Sequence, residues 1–141
     1  QLAAFWYGIE NIRTYSGGTE ATAFNPRSVE GLRRAGFILE KKSENKNPIY
    51  RLGGELAFMD FNDLFSKKFD SKPNPTRNFA AIMVCTEADE GCPFVPGADA
   101  RFSIPFDDPK AFDGTNLASE KYDERVQQIG REFFYVLSLV K

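Results

Sequence analysis

An uninterrupted apolar run, Phe79 to Val84 (FAAIMV), constrains the fold more than any other stretch of this chain. The run has the length of a β-strand, and a strand without polar alternation is typical of a sheet that is covered on both faces. Such sheets are mostly parallel and carry helices on each side. The run therefore predicts an α/β protein in which Phe79 to Val84 is a buried strand.

The end of the chain predicts one long helix that begins at about Asn116 or Leu117 and covers a face of the sheet. Its apolar residues recur at steps of three and four, which gives a wide apolar stripe. The stripe consists of Tyr122, Val126, Ile129, Phe133, Val136 and Val140. A shorter helix is predicted after Asn25, its cap, with Pro26 in the first turn and Gly36 at its end.

Two short strands are predicted on either side of this second helix, at Asn11 to Ser16 and at Phe37 to Glu40. A strand, a helix and another strand form a β-α-β unit, which indicates a parallel sheet. Arg101 to Ile104 is a further candidate strand. The alternation of these elements predicts one domain over residues 1–141.

The first residues, QLAAFWYG, have the pattern of a helix end that Gly8 caps. The spacing of Leu2, Phe5 and Trp6 predicts one buried face. Because a chain seldom starts inside a helix, we expect the natural protein to begin upstream of Gln1.

Residues 43–78 follow a different pattern. NPIYRL and ELAFMDF flank Gly53-Gly54, which is the turn chemistry of a two-residue β-hairpin. A Pro- and Asn-rich linker, Ser71 to Asn78, follows. We interpret this segment as an insertion that contains a hairpin.

Composition excludes several classes of protein. A net charge of -2 favours neither nucleic acid nor an anionic membrane as a partner, and pairs such as Lys67-Lys68 are interpreted as solvated surface. No run approaches the ~20 apolar residues of a membrane span, and no signal peptide is recognisable, so a cytoplasmic protein is expected. The chain has no histidine. Ser-His-Asp and Cys-His catalysis are therefore excluded, and we expect neither a metal site nor a bound cofactor.

The only two cysteines, Cys85 and Cys92, frame the loop that leaves the apolar run. Cys85 is either a small buried hydrophobe that finishes the strand or a functional thiol. Cys92 lies in a polar loop beside Pro93, where a purely structural thiol has little to pack against. The loop between them is long enough to fold back into a disulfide, so the pair is capable of switching.

Asp107-Asp108-Pro109 is the second candidate for chemistry. Two carboxylates before a proline are either a plain turn or a general acid held over the sheet edge. Asp108 is the better candidate for the acid because the following proline restricts its backbone.

The segment SGGTEAT, Ser16 to Thr22, is glycine-rich but lacks the lysine of a Walker loop. It is therefore a weak phosphate cradle. Its glycines are better explained by close passage of the backbone beside a neighbouring loop, to which Ser16 is expected to hydrogen-bond.

Two of these stretches resemble a known family. YSGGTEATAFNPRSVEGLRRAGF resembles the second β-α segment of the low-molecular-weight tyrosine phosphatase superfamily, and AIMVCTEADEGCPF with FDDP resembles its thioredoxin-coupled arsenate reductases. The resemblance covers residues 1–36 and 79–141 and leaves out 43–78. It implies a three-layer α/β/α fold with a mostly parallel sheet of about four strands.

The same resemblance implies a relay of three thiols. A first cysteine, in an upstream Cys-x5-Arg loop, attacks arsenate. Cys85 then attacks that cysteine, and Cys92 attacks Cys85 to leave a disulfide that thioredoxin reduces. Asp108 protonates the departing hydroxyl, and Ser16 supports the oxyanion loop or a nearby monovalent cation.

This chain contains no Cys-x5-Arg, since Gly91 and Ala98 stand where the arginine would follow Cys85 and Cys92. The resemblance therefore implies that the 141 residues alone are inactive. Two alternatives stay open. One is a phosphatase that acts on phosphotyrosine or a small phosphoester, and the other is a non-catalytic redox-sensing domain.

Overall fold

The computed structural model describes residues 1–57, 59, 61–85 and 94–140. Within these ranges the helices are α1 (Leu2–Trp6), α2 (Pro26–Arg34) and α3 (Ala118–Ser138), and the strands are β1 (Leu39–Lys41), β2 (Tyr50–Leu52), β3 (Phe79–Met83) and β4 (Ala98–Ser103). Two short 3-10 turns cover Gly54–Leu56 and Pro109–Phe112. The protein is thus a mixed α/β structure.

Strands β3 and β4 form a two-stranded parallel sheet, with Ala81 opposite Arg101 and Met83 opposite Ser103. This pair confirms the strands expected at Phe79 to Val84 and at Arg101 to Ile104. The expected cover on both faces is wrong, because Ile82 is 39% exposed and Phe102 is 54% exposed. Helix α3 makes its main contacts with α1, α2 and the second 3-10 turn instead of with this sheet.

The predicted β-α-β unit is not formed. In the described residues the segment Asn11 to Ser16 contains no strand, and only an isolated bridge joins Gly18 to Lys68. Strand β1, at the end of the predicted strand Phe37 to Glu40, pairs antiparallel with β2. The described residues therefore hold two sheets of two strands each, and they do not show the four-stranded, three-layer arrangement.

The hairpin also lies elsewhere than the sequence predicts. Residues 42–49 connect its two strands, β1 and β2, whereas Gly53-Gly54 was expected to be the turn. The Gly53 N–H donates to the Ile38 carbonyl at 2.9 Å, so this glycine extends the β1–β2 pairing. Gly54, at φ 65°, begins a 3-10 turn in place of the expected second strand.

Helix α2 begins as predicted, because the Asn25 side chain accepts a hydrogen bond from the Arg27 N–H at 2.9 Å. The buried face predicted for α1 is wrong, since Ala3 and Ala4 are buried while Phe5 and Trp6 are exposed. Helix α3 begins one residue after the predicted start. Its stripe is buried at Tyr122, half-buried from Val126 to Phe133 and exposed at Val136 and Val140.

The main apolar core lies between α2 and the hairpin and consists of Val29, Leu39 and Tyr50. The rings of Phe24 and Tyr50 pack against each other with centroids 5.9 Å apart. No described helix is both long enough and apolar enough to cross a membrane.

Candidate functional site at the carboxyl edge of the parallel sheet

Cys85 lies two residues beyond the end of β3, at the edge of the sheet where parallel strands give way to loops. Its thiol is half-buried and forms no disulfide within the described residues. The carboxyl edge is where open α/β sheets generally bind ligands. Cys85 is therefore not one of the fully buried side chains of a core.

The segment that carries the two aspartates is held against the same edge. The Ile104 N–H donates to the Met83 carbonyl at 2.9 Å, and the Phe106 N–H donates to the Val84 carbonyl at 2.9 Å. The Phe106 side chain is buried and anchors this segment. Asp107 and Asp108 therefore follow directly from a backbone that is bonded to the residue before Cys85.

The two carboxylates have different surroundings. Asp108 caps the second 3-10 turn, since its Oδ1 accepts a hydrogen bond from the Lys110 N–H at 2.9 Å. The Asp107 side chain is fully exposed, and its Oδ2 lies 3.7 Å from an Arg125 guanidinium nitrogen. Both aspartates are exposed, but Asp108 is fixed by a backbone hydrogen bond, while Asp107 faces Arg125.

Arg125 is a second feature of this edge that the sequence did not single out. Its guanidinium is largely buried, hydrogen-bonds to Gln128 and faces Asp107. Its Nε is buried with no hydrogen-bond partner in the part of the chain that the structure describes. The arginine places positive charge beside Asp107. Nothing in the sequence around Arg125 distinguishes it from an arginine on an exposed helix surface.

Ser16 belongs to another cluster. Its hydroxyl lies 3.4 Å from the Lys67 Nζ, and its carbonyl accepts a hydrogen bond from the Asn74 side chain at 3.0 Å. Ser16 therefore accepts a hydrogen bond from a neighbouring loop through its carbonyl oxygen. Among the described residues no hydrogen bond or ion pair joins Ser16 to Cys85 or to Asp108.

The burial of Lys67 differs from what the sequence predicts. The Lys67-Lys68 pair was expected to be solvated surface, but Lys67 is buried, while Lys68 is exposed. Burial away from water disfavours the charged ammonium and lowers the pKa of Lys67. The difference in burial between these two neighbouring lysines comes from their positions in the fold. No local feature of the sequence predicts it.

Cys92 lies outside the described residues, and so does any bridge between Cys85 and Cys92. Within the described ranges, no group of three or more cysteines, aspartates and glutamates is close enough to hold a metal ion.

Two comparisons with known proteins were informative in different ways. No protein-family model matches the chain. It is similar to two curated proteins from two strains of Staphylococcus epidermidis, named arsenate reductase 2 and arsenate reductase, and is 25% identical to each over 97 residues. The alignment covers 69% of this chain and 56% of each relative, so the chain spans little more than half the length of the curated relatives it matches. The similarity indicates an arsenate reductase-like family.

Proposed function

We propose that this chain carries the thiol-relay half of an arsenate reductase-like enzyme. One observation supports the proposal above all: Cys85 is a half-buried thiol at the carboxyl edge of β3, and the Asp107-Asp108 segment is hydrogen-bonded along the same edge. The names of the two relatives support the substrate class. The enzyme is proposed to act in the cytoplasm on arsenate, without a bound metal or cofactor.

The relay balances as three exchanges. A first cysteine thiolate, from outside these 141 residues, attacks arsenate and forms a sulfur–arsenic bond as water leaves. Cys85 attacks that sulfur, a disulfide forms, and the electron pair of the sulfur–arsenic bond stays on arsenic, which departs as arsenite. Cys92 then attacks Cys85, the first cysteine leaves as a thiolate, and a Cys85–Cys92 disulfide remains.

The remaining residues have supporting roles in this proposal. Asp108 protonates the oxygen that leaves arsenate as water, because its carboxyl group is the fixed one of the pair. Ser16 supports the oxyanion-binding loop. Thioredoxin, a dithiol reductant, resets the Cys85–Cys92 disulfide by thiol–disulfide exchange and is itself oxidised.

The test is disulfide mapping in the complete natural polypeptide. After arsenate treatment without reductant, peptide mass mapping is expected to find a Cys85–Cys92 bridge. In Cys92→Ser the bridge is expected to stop between Cys85 and the first cysteine. Arsenate turnover by Cys92→Ser at the wild-type rate with thioredoxin would contradict the relay. Hydrolysis of p-nitrophenyl phosphate without arsenate reduction would favour a phosphatase.

A redox-sensing domain is the second candidate, favoured by one observation: the chain has two cysteines and no Cys-x5-Arg. In this case peroxide oxidises one thiol of the pair to a sulfenic acid, and the other thiol displaces water to form the disulfide. The sensor forms the Cys85–Cys92 bridge with peroxide but not with arsenate, in the natural polypeptide as well as in these 141 residues. A bridge that forms with arsenate only when the upstream sequence is present favours the reductase.

A further inference from the structure

Lys67 is the single charged residue that is buried among the residues that the structure describes, with 6% of its surface exposed. A buried ammonium group destabilises a folded protein unless an anion or a set of hydrogen-bond acceptors compensates it. Lysines with a perturbed pKa are found preferentially at functional sites. The contacts of the Lys67 ammonium group therefore show how far the fold compensates its positive charge.

Its contacts within the described residues are few. The Nζ lies 3.4 Å from the Ser16 hydroxyl oxygen, which is longer than a normal hydrogen bond. It also lies 4.6 Å from the centroid of the Phe65 ring. An ammonium group has three donors, and no carboxylate of the described ranges pairs with this one. The charge of Lys67 is thus incompletely compensated.

The backbone fixes Lys67 against the glycine-rich turn Ser16–Gly18. The Gly18 N–H donates to the Lys67 carbonyl at 2.9 Å, and the Phe69 N–H donates to the Gly18 carbonyl at 3.0 Å. A Cβ at Gly17 would lie 2.5 Å from the Phe69 Cα, so only glycine permits this approach. The turn has no lysine of its own, and the fold places one beside it.

A second polar group at the same turn lacks a partner. The Asn74 side-chain nitrogen donates to the carbonyls of Ser16 and Phe69, each at 3.0 Å. Its Oδ1 is buried and accepts no hydrogen bond within the described part of the chain. Ser16 is therefore in contact with two residues that have unused capacity, a cationic donor in Lys67 and a neutral acceptor in Asn74.

We propose that Lys67, Ser16 and Asn74 form a binding site for a small inorganic oxyanion of the phosphate class. A charged oxygen of the ligand accepts from the Lys67 ammonium, and the Ser16 hydroxyl donates to the ligand. At neutral pH phosphate retains an acidic hydroxyl, which donates to the Asn74 Oδ1. Sulfate has no such proton, so it satisfies Lys67 but leaves Asn74 without a partner. The site shares Ser16 with the proposed reductase but uses neither Cys85 nor Asp108, so its test does not depend on reductase activity.

The test measures thermal unfolding of the 141-residue chain in phosphate, sulfate and chloride at equal ionic strength. A ligand that binds only the folded state raises the unfolding midpoint as its concentration increases. Phosphate is expected to raise the midpoint above the chloride value, and sulfate is expected to raise it less. Lys67→Met should abolish the rise with phosphate, whereas the exposed neighbour Lys68→Met should retain it.

A second measurement tests the proposed site even if Lys67→Met does not fold. In the unmodified chain, phosphate should shift the amide resonances of Gly17, Gly18 and Phe69 in a ¹⁵N-correlated NMR spectrum. The proposal is overturned if phosphate gives no rise beyond chloride, if Lys67→Met retains the rise, or if the shifts lie away from this turn.

Discussion

At the scale of single residues, neighbours in the sequence differ in their surroundings. Asp107 and Asp108 are both exposed, but Asp108 is fixed by the Lys110 N–H, while Asp107 lies near Arg125. Lys67 is buried beside Ser16, while Lys68 is exposed. Each pair provides a matched control, because the two members have the same chemical group and differ in their surroundings.

The aspartate pair gives a prediction about the general acid. Asp108→Asn keeps an oxygen that can accept from the Lys110 N–H, so the cap and the thermal stability should be preserved. Arsenate turnover by the complete polypeptide should nevertheless fall by roughly 10²-fold or more, which is the usual contribution of general acid catalysis. Steady-state kinetics with thioredoxin measures this effect. Asp107→Asn is the control, and equal losses in the two variants would remove Asp108 from this role.

A second prediction concerns Gly17. The Cβ of Gly17→Ala would lie 2.5 Å from the backbone of Phe69, and such overpacking costs about 1–3 kcal/mol of unfolding free energy. Gly130→Ala is the control, because nothing lies within 4 Å of its added Cβ and the site is inside α3. This control should stabilise the protein by about 0.8–1 kcal/mol through helix propensity. Urea unfolding measures both values, and a neutral Gly17→Ala would mean that the turn does not pack closely on Phe69.

At the scale of elements, α2 and α3 are joined by polar contacts as well as by packing. The Asn25 side chain, which caps α2, donates to the Tyr122 hydroxyl at 2.8 Å, and that hydroxyl donates to Asp113 at 3.2 Å. Arg34 forms a two-pronged ion pair with Asp123 on α3. Burial, together with the nearby charge of Asp113, raises the pKa of Tyr122. The tyrosine therefore links the start of one helix to the other.

This link predicts a loss of stability on removal of a single oxygen. Tyr122→Phe leaves the Asn25 amide without its acceptor in a buried position, which costs about 1–3 kcal/mol. Tyr135→Phe, on an exposed part of α3, should change the unfolding free energy by less than about 0.5 kcal/mol. Urea unfolding measures the change in unfolding free energy for both variants. Equal effects of the two substitutions would show that the hydroxyl of Tyr122 makes no net contribution.

At the scale of the whole molecule, the buried lysine should govern part of the pH dependence of stability. The pKa of Lys67 is lowered from its ordinary value of 10.5 by burial alone, with no charged partner contributing. Below the lowered pKa both folded and unfolded states are protonated, and the folded state bears the whole cost of the charge. Between the lowered pKa and 10.5 the folded state releases its proton first, so stability rises with pH.

The corresponding measurement compares Lys67→Met with the unmodified chain in phosphate-free buffer. Met replaces an uncompensated charge with an apolar chain of similar length, so the variant should be more stable at neutral pH. Its advantage should shrink as the pH approaches 10.5, because a growing fraction of the lysine is neutral in the folded protein. Chemical unfolding at several pH values measures the difference. A difference independent of pH would show that Lys67 is not desolvated in solution.

The parts of the fold that local sequence determines were predictable. Asn25-Pro26 specifies the start of α2, and an apolar run specifies β3. The antiparallel pairing of Leu39 with Leu52 was not predictable, because it depends on contacts between distant segments. The burial of Lys67 was not predictable either, because it depends on a long-range β-bridge between Gly18 and Lys68. The position of Cys85 after a strand end was predictable from the sequence, whereas the surroundings of Arg125 and Lys67 depend on long-range contacts.

The hydrogen bond from the Phe106 N–H to the Val84 carbonyl has a practical consequence for dynamics. Amide protons exchange with solvent deuterium only when their hydrogen bond opens. The amide of Phe106 therefore records how often the backbone beside Cys85 separates from the segment before Asp107. Deuterium uptake at this one position, compared between reduced and oxidised protein, reports directly whether oxidation of Cys85 loosens the backbone that leads to the two aspartates.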